Sequence, residues 1–308
     1  MTARFAAPTE LDDVLAVLAA DPAARPVAGG TDLVVAARQG RKPLPDSIVA
    51  IDRIAELAVA DVDARGSLVL GALTSHAWLA SASAVRSGWT ALADAAAIVG
   101  SPATRATGTI GGNLMNASPA AETVAPLVVF EATVTLRAAG GADREVRVAD
   151  LATGPGRTAA APGELLTRVR VPPARAGSGS AYVRLEYRRA MEIAVVGAAA
   201  LITLAADGPS PRIASARIAL TAVAPTIVRA STAEVAIAGA AADRDACRAA
   251  GAAAAAAASP IDDVRASSDY RRAMVEVVVA RTVAAAIARA GGEDVPVPAS
   301  RWAVGREV

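Results

Sequence analysis

The sequence is poor in the residues that build metal sites and covalent cross-links. Its 308 residues include one cysteine, Cys247, and one histidine, His76. A single cysteine excludes an internal disulfide, a cysteine-based zinc site and an iron–sulfur cluster held by this chain alone. A single histidine cannot form a metal site by itself, and we expect it to have a structural or solvent-facing role. No metal site is therefore predicted in this chain.

The chain also has few aromatic residues and almost no net charge. Phe, Trp and Tyr make up 3% of the chain, which leaves too few rings for a base-stacking platform. The net charge of +1 gives no overall field that favours nucleic acid or an anionic membrane. The longest apolar stretch, Ala194 to Ala206, is too short to span a membrane and suits a buried strand. Because the N-terminus also lacks an apolar signal-peptide core, we expect a cytoplasmic protein.

Two glycine pairs carry the most information. Gly29-Gly30 lies within Val27–Leu33, and Gly111-Gly112 lies within Thr109–Leu114. Glycine tolerates positive φ and allows close approach of the backbone to a ligand. Successive N–H groups in such turns can converge on an anion. Two of these turns brought together would hold the two phosphates of a dinucleotide.

The composition provides the competing explanation for these pairs. Roughly two Gly-Gly pairs are expected by chance at this glycine content, and four occur. A lone pair is more often an ordinary turn. Gly140-Gly141, between two strand-like runs, is predicted to be a hairpin loop. The first two pairs differ because each is followed by a small polar residue, and neither has the third glycine of the Rossmann fingerprint.

Several motifs together resemble the FAD-binding medium subunit of the molybdenum hydroxylases, the xanthine dehydrogenase and carbon monoxide dehydrogenase family. The resemblance covers nearly the whole chain to about Ala290, with its motifs in the right order. The motifs are Ala28–Leu33, Thr109–Leu114, Ala117–Glu122, Ala161–Leu166, Arg188–Val196 and Ala219–Thr226. Several motifs in register identify this family far more specifically than either glycine loop alone.

The resemblance implies an α+β fold. It consists of a two-part FAD-binding fold of the p-cresol methylhydroxylase/vanillyl-alcohol oxidase type and a C-terminal domain with a three-stranded antiparallel sheet and helices. Pro172-Pro173 and the run Gly177–Ser180 form the clearest boundary in the chain. The predicted divisions are an N-terminal βαβ-like subdomain (1–55), a middle subdomain (56–175), a C-terminal domain (178–290) and a flexible tail (291–308).

The resemblance also implies where FAD binds, between the N-terminal and middle subdomains with its diphosphate over the two glycine loops. From the first loop, Gly29, Gly30 and Thr31 would offer backbone N–H groups. From the second, Gly111, Gly112 and Asn113 would do the same. The full set of candidate cofactor-binding residues is Val27, Ala28, Gly29, Gly30, Thr31, Asp32, Leu33, Thr109, Ile110, Gly111, Gly112, Asn113, Glu122, Leu166 and Arg184.

Individual side chains in this set carry separate expectations. Asp32 would be unfavourable beside a diphosphate, so we expect its carboxylate to accept local backbone N–H bonds. Glu122 stands where the family usually has an aspartate that binds the ribityl chain. Leu166 matches a position near the flavin, although burial of a strand explains a leucine equally well. Arg184 matches a frequent lysine near the isoalloxazine, where a cation would stabilise reduced flavin.

The function implied is electron relay. In this family a large subunit holds the molybdenum cofactor, a small subunit holds two [2Fe–2S] clusters, and FAD passes electrons to NAD⁺ or another acceptor. We expect non-covalent FAD in this chain and no catalytic acid–base residue. The alternatives are a self-contained flavin oxidase or reductase of the same fold, and a non-catalytic flavin-binding interaction protein. The substrate and the assembly stoichiometry are not encoded here.

Overall fold

The computed structural model describes residues 4–188, 191–205 and 211–303. Its N-terminal part is a small βαβ unit whose three strands are all parallel, in the order β1-β3-β2. Helix α1 buries Leu11, Val14, Leu15 and Leu18, the i, i+3, i+4, i+7 spacing of an amphipathic helix. The elements are β1 (Arg4–Ala6), α1 (Leu11–Ala20), β2 (Arg25–Val27), α2 (Leu33–Arg38) and β3 (Ser47–Ala50).

The middle part is an antiparallel five-stranded sheet, in the order β4-β5-β10-β6-β7, with short helices. Strands β6 and β7 form a hairpin through Gly140-Gly141, as predicted, and Gly140 has φ +63°. The elements are a 3₁₀ turn (Ala55–Ala58), β4 (Ala60–Val62), β5 (Leu68–Gly71), α3 (His76–Ser81), α4 (Ser83–Gly88), α5 (Thr90–Ala97), α6 (Pro102–Thr107), α7 (Ile110–Asn116), α8 (Val124–Val129), β6 (Thr133–Arg137), β7 (Arg144–Arg147), α9 (Val148–Leu151), β8 (Ala152–Gly154), β9 (Arg157–Thr158) and β10 (Leu165–Val171).

The C-terminal part contains the three predicted antiparallel strands and a short fourth one that the sequence does not predict. A two-residue segment is too short to show a strand pattern. The sheet order is β11-β12-β13-β14. The elements are β11 (Ser178–Leu185), β12 (Val196–Leu204), β13 (Ile213–Thr221), β14 (Val228–Arg229), α10 (Ser231–Ile237), α11 (Arg244–Ala255), α12 (Ser268–Ala290) and α13 (Ala299–Ala303).

Close helix packing explains the alanine-rich sequence of α11. A Cβ on Gly251 would lie 2.3 Å from the carbonyl oxygen of Glu276 in α12. Small side chains therefore allow the two helix backbones to approach. The long helix α12 covers one face of the C-terminal sheet, and residues of the other face, including Tyr182, join the core of the middle part.

The prediction of a flexible tail is wrong for residues 295–303. Val295, Ala299 and Ala303 are buried, and the Ala299 N–H donates to Asp94 Oδ1 at 2.9 Å. Asp94, in α5, also accepts from Arg289 Nη1 at 2.6 Å and from the Tyr182 N–H at 3.0 Å. This fully buried carboxylate ties the C-terminal sheet and helices to the middle part. Residues 304–308 of the predicted tail lie outside the described residues.

Candidate cofactor-binding site

The first glycine loop offers a run of unoccupied backbone donors. It follows β2, where the Val27 carbonyl accepts from the Ile51 N–H at 3.0 Å, and it enters α2 at Leu33. Gly30 has φ +64°, a left-handed conformation that glycine adopts without strain. Within the described part of the chain, the N–H groups of residues 29–33 meet no acceptor. Consecutive free N–H groups around a left-handed residue form a concave site for an anion.

The second glycine pair is the first turn of helix α7, and its amides are occupied. Gly111 N–H donates to the Ala72 carbonyl at 2.9 Å, and Gly112 N–H donates to Thr109 Oγ1 at 3.1 Å. Asn113 N–H donates to the Thr109 carbonyl at 2.9 Å. The expectation that these three amides point freely at a phosphate is therefore wrong. Each is used to begin the helix or to attach it to the sheet.

Gly111 is required for packing instead of for phosphate contact. A Cβ at this position would lie 2.7 Å from both the Cβ and the carbonyl oxygen of Ala72. Ile110 beside it is fully buried, and Thr109 caps the helix. Glycine at position 111 thus allows α7 to lie directly against the end of β5.

The two loops nevertheless lie against each other. A Cβ on Gly29 would stand 1.8 Å from the carbonyl oxygen of Thr107, just before the second glycine pair. A Cβ on Gly108 would lie 3.5 Å from Thr31 Oγ1. The backbone at Thr107–Gly108 therefore forms one wall of the first loop. Residues some eighty positions apart therefore meet at the first loop.

Asp32 does not hold the first loop in the predicted way. Its backbone is helical, with φ −90° and ψ −46°, and the side chain makes no capping hydrogen bond. No N–H group of the described residues donates to its carboxylate. The residue is exposed at the surface, although partial desolvation still raises the pKa of its carboxyl against the opposing charge of Arg41.

His76 lies unexpectedly close to the loops. Its backbone N–H donates to the Gly108 carbonyl at 3.1 Å, and its ring carbon Cδ2 would lie 3.2 Å from a Cβ on Gly108. The side chain is buried, and Nδ1 has no hydrogen-bond partner in the described structure. Burial, together with nearby Arg105, lowers the pKa of His76 to about 4, so the imidazole is neutral at pH 7. Arg105 itself donates to the Val99 carbonyl at 3.1 Å, in the segment before α6.

A line of polar contacts runs from the second loop towards the C-terminal sheet. Asn113 Oδ1 accepts a hydrogen bond from Thr123 Oγ1 at 2.6 Å. The neighbouring residue, Glu122, places Oε1 2.5 Å from Nη1 of Arg184 in β11. The structure therefore brings together Asn113, Glu122 and Arg184, three predicted site residues that are distant in sequence.

Arg184 is the centre of a buried charge network. Its side chain is fully buried and donates from Nε to Glu186 Oε2 at 2.6 Å and from Nη1 to the Glu192 carbonyl at 3.2 Å. Nη2 lies 2.5 Å from the same Glu186 oxygen but is not aligned to donate, which leaves a buried donor without an acceptor. Burial raises the pKa of Glu122, and the charge of Arg184 opposes that rise.

The remaining predicted residues contribute mainly to packing. Leu166 is buried in β10 opposite Leu136, next to a bulge at Thr167. Val27, Ala28 and Leu33 are half-buried around the first loop.

Sequence reasoning missed Thr123, Glu186 and the Glu192 carbonyl. Glu186 follows Arg184 by two residues, and the period-two alternation of a strand puts such residues on the same side. That spacing of opposite charges is a signal that could have identified Glu186. Thr123 gave no comparable signal. Arg189 and Ala190, within the quoted motif Arg188–Val196, lie outside the described residues.

The donor and acceptor set fits a dinucleotide cofactor. The amides of the first loop suit a diphosphate, Asn113 and Glu122 suit hydroxyl groups, and the orphan Nη2 of Arg184 suits an acceptor atom on a ring. Among the described residues, no group of three or more His, Cys, Asp and Glu side chains could hold a metal ion. None of the described helices is long and apolar enough to cross a membrane.

Two family models match the chain. Residues 1–174 match the FAD binding domain in molybdopterin dehydrogenase. Residues 181–286 match the CO dehydrogenase flavoprotein C-terminal domain. The two matches meet near the connection between β10 and β11.

Curated relatives and solved structures agree with these matches. The 6-hydroxypseudooxynicotine dehydrogenase complex subunit alpha of Paenarthrobacter nicotinovorans is 33% identical over 87% of this chain and 88% of its own length. The carbon monoxide dehydrogenase medium chain of Afipia carboxidovorans is 32% identical over 87% of this chain and 90% of its own length. In a structure of carbon monoxide dehydrogenase from Hydrogenophaga pseudoflava, a chain 32% identical matches with a TM-score of 0.86, covering 93% of this chain and 97% of that one.

Proposed function

The chain belongs to the FAD-binding medium subunits of the xanthine dehydrogenase and carbon monoxide dehydrogenase type, and on that premise we propose its place in the electron path. It is the FAD subunit of a multi-subunit molybdenum hydroxylase. We propose that it takes electrons from the [2Fe–2S] clusters of a small partner subunit and delivers them to NAD⁺ or another acceptor. The molybdenum cofactor belongs to a large partner subunit. When bound, FAD supplies the redox chemistry: it gains two electrons and two protons, and can return a hydride to NAD⁺ with release of one proton.

The main observation behind this placement is that consecutive backbone N–H groups of the first loop are unbonded. The N–H groups of residues 29–33 have no acceptor among the described residues, and Gly29 and Thr31 lie against the backbone of Thr107–Gly108. We assign the diphosphate to these amides, with the Thr31 hydroxyl as a further donor. Charge-assisted hydrogen bonds to phosphate are stronger than neutral ones. In this assignment the backbone of Thr107–Gly108 is the wall, and the residues that follow it, Thr109, Ile110, Gly111 and Gly112, hold that wall in place by beginning helix α7.

The other end of the cofactor is assigned to the polar line that ends at Arg184. Asn113 keeps its amide N–H groups available because the Thr123 hydroxyl occupies only its oxygen. Glu122 has further acceptor positions beyond the one that Arg184 occupies, so it suits ribityl hydroxyls. Arg184 offers Nη2 to an acceptor atom of the ring. Leu166 contributes the buried strand that supports this end.

The chain's own residues bind and orient the cofactor and supply no acid–base catalyst in this proposal. Cys247 is buried in α11, in the C-terminal domain, and burial raises its pKa to about 11, so it is not a candidate for covalent attachment of flavin. His76 lies beneath the second loop and is neutral. Non-covalent FAD, a cytoplasmic location and the domain boundaries at 55 and 175 remain predictions.

Purification of the chain with its native partners tests the proposal. We expect FAD, molybdenum and iron in fixed proportion with three polypeptides. Because the hydroxylated substrate is unknown, NADH is the useful probe: added without oxygen, it should bleach the flavin absorbance by reverse electron flow. If NADH leaves the flavin oxidised, the acceptor is not a nicotinamide. Steady turnover by the isolated chain would instead support a self-contained oxidase, and a folded complex without flavin absorbance would contradict the proposal.

A further inference from the structure

Arg184 is not a free cation, because carboxylates surround it. Nη1 lies 2.5 Å from Glu122 Oε1, while Nε lies 2.6 Å from Glu186 Oε2. The side chain of Arg184 is 0% exposed, that of Glu122 10% and that of Glu186 21%. The Glu192 carboxylate instead contacts Arg188 Nε at 3.2 Å, so only the Glu192 carbonyl serves Arg184.

The two carboxylates that contact Arg184 differ in how many of its nitrogens they reach. Glu122 contacts a single nitrogen, Nη1, through Oε1, and burial raises the pKa of its carboxyl while the charge of Arg184 opposes that rise. Glu186 places one oxygen, Oε2, 2.6 Å from Nε and 2.5 Å from Nη2, so it contacts two of the three guanidinium nitrogens. Glu186 is therefore the residue that most directly balances the charge of Arg184. A cation beside a flavin stabilises the reduced, anionic ring, and a neutralised cation does so less.

We propose that Glu186 is a positioning residue that lowers the reduction potential of the bound FAD by neutralising and orienting Arg184. This inference rests on the proposed placement of the flavin ring beside Arg184. Its consequence concerns the acceptor: a flavin of low potential can reduce a nicotinamide nucleotide, whereas an unbalanced arginine would favour acceptors of higher potential.

The test is a spectroelectrochemical titration of the flavin in the purified complex carrying Glu186→Gln. Glutamine keeps the shape of the side chain and removes its charge. At a fixed applied potential, we expect the ratio of reduced to oxidised FAD to rise about tenfold. This is the order of magnitude expected when one unit charge is removed from a partly buried network. For a two-electron couple this corresponds to an upward shift of about 30 mV.

Two further variants separate charge from structural damage. Arg184→Met removes the cation, so the potential should fall, in the opposite direction to Glu186→Gln. Glu192→Gln makes the same charge change in the same loop, but the Glu192 carboxylate contacts Arg188 and not Arg184. We therefore expect a clearly smaller shift of the flavin potential. If Glu186→Gln disturbs folding, Glu186→Asp keeps the charge while shortening its reach and should shift the potential upward by a smaller amount.

The outcomes distinguish the inference from the proposed function. A Glu186→Gln complex that retains FAD at an unchanged potential overturns the inference. Shifts in the same direction for Arg184→Met and Glu186→Gln also overturn it, because they would indicate general disruption. An Arg184→Met complex with unchanged potential and unchanged FAD affinity contradicts the placement of the ring itself, as does a wild-type complex without FAD.

Discussion

Gly29→Ala should separate the two loops and weaken FAD binding. The new Cβ would lie 1.8 Å from the Thr107 carbonyl oxygen, where ordinary contact begins at 3.4 Å. The loops must therefore move apart by about 1.6 Å, and overpacking of this kind costs roughly 1–3 kcal/mol of stability. A shift of that size breaks one or two of the proposed amide–phosphate hydrogen bonds, each worth about 1.5–3 kcal/mol. We expect FAD to bind about tenfold to a hundredfold more weakly for each bond lost.

The measurement is a titration of the FAD-free protein with FAD, followed by quenching of flavin fluorescence, together with the melting temperature of each variant. Gly141→Ala is the matched control, because this loop glycine has no positive φ and its Cβ would meet only ordinary contacts at 3.6 Å. Gly30→Ala tests backbone strain alone, because an alanine at φ +64° costs about 1–2 kcal/mol without forcing the loops apart. If Gly29→Ala binds FAD as tightly as Gly141→Ala, the first loop does not hold the diphosphate.

Three other substitutions test neighbouring parts of the argument. Gly111→Ala places a Cβ 2.7 Å from Ala72, so it should lower the melting temperature of the FAD-free protein as well as flavin retention; equal melting temperatures would contradict the packing role. His76→Gln should flatten the pH dependence of stability. The native pKa of His76, about 4, lies below the ordinary 6.5, so the wild type loses roughly 3 kcal/mol of unfolding free energy as pH falls from 6.5 to 4. Urea unfolding at pH 7.5 and pH 5 measures this loss, and equal losses in wild type and variant would refute the argument. Asp94→Asn should cost about 3–5 kcal/mol by leaving Arg289 buried without its partner, and calorimetry should show the C-terminal part melting separately; a single unshifted transition would count against this role.

Local sequence patterns predicted much of the fold. The hairpin at Gly140-Gly141 follows from turn chemistry, and the buried strand β12 follows from the apolar stretch that begins at Ala194. The tail was predicted poorly. Residues 295–303 look flexible because prolines interrupt them, yet Asp94, about two hundred positions earlier, accepts the Ala299 N–H.

The candidate site was predicted unevenly for a similar reason. Motif order placed Glu122 and Arg184 in one site, but nothing local indicates that they pair with each other across sixty-two positions. Asp32 illustrates the opposite error, because its sequence context is typical of an Asx turn while its backbone is helical. Whether these residues contact FAD stays a prediction that the substitutions above test.

The sequence by itself determined where the backbone can turn and which residues can approach closely, since a glycine such as Gly30 carries that freedom wherever it lies. Only the tertiary structure decided which amides remain available to a ligand. Gly29 and Gly111 sit in similar motifs, yet the Ala72 carbonyl accepts the Gly111 N–H while no described residue accepts that of Gly29. The reason is physical: an N–H group is free or occupied according to which distant carbonyl folding brings to it, and no short motif encodes that partner.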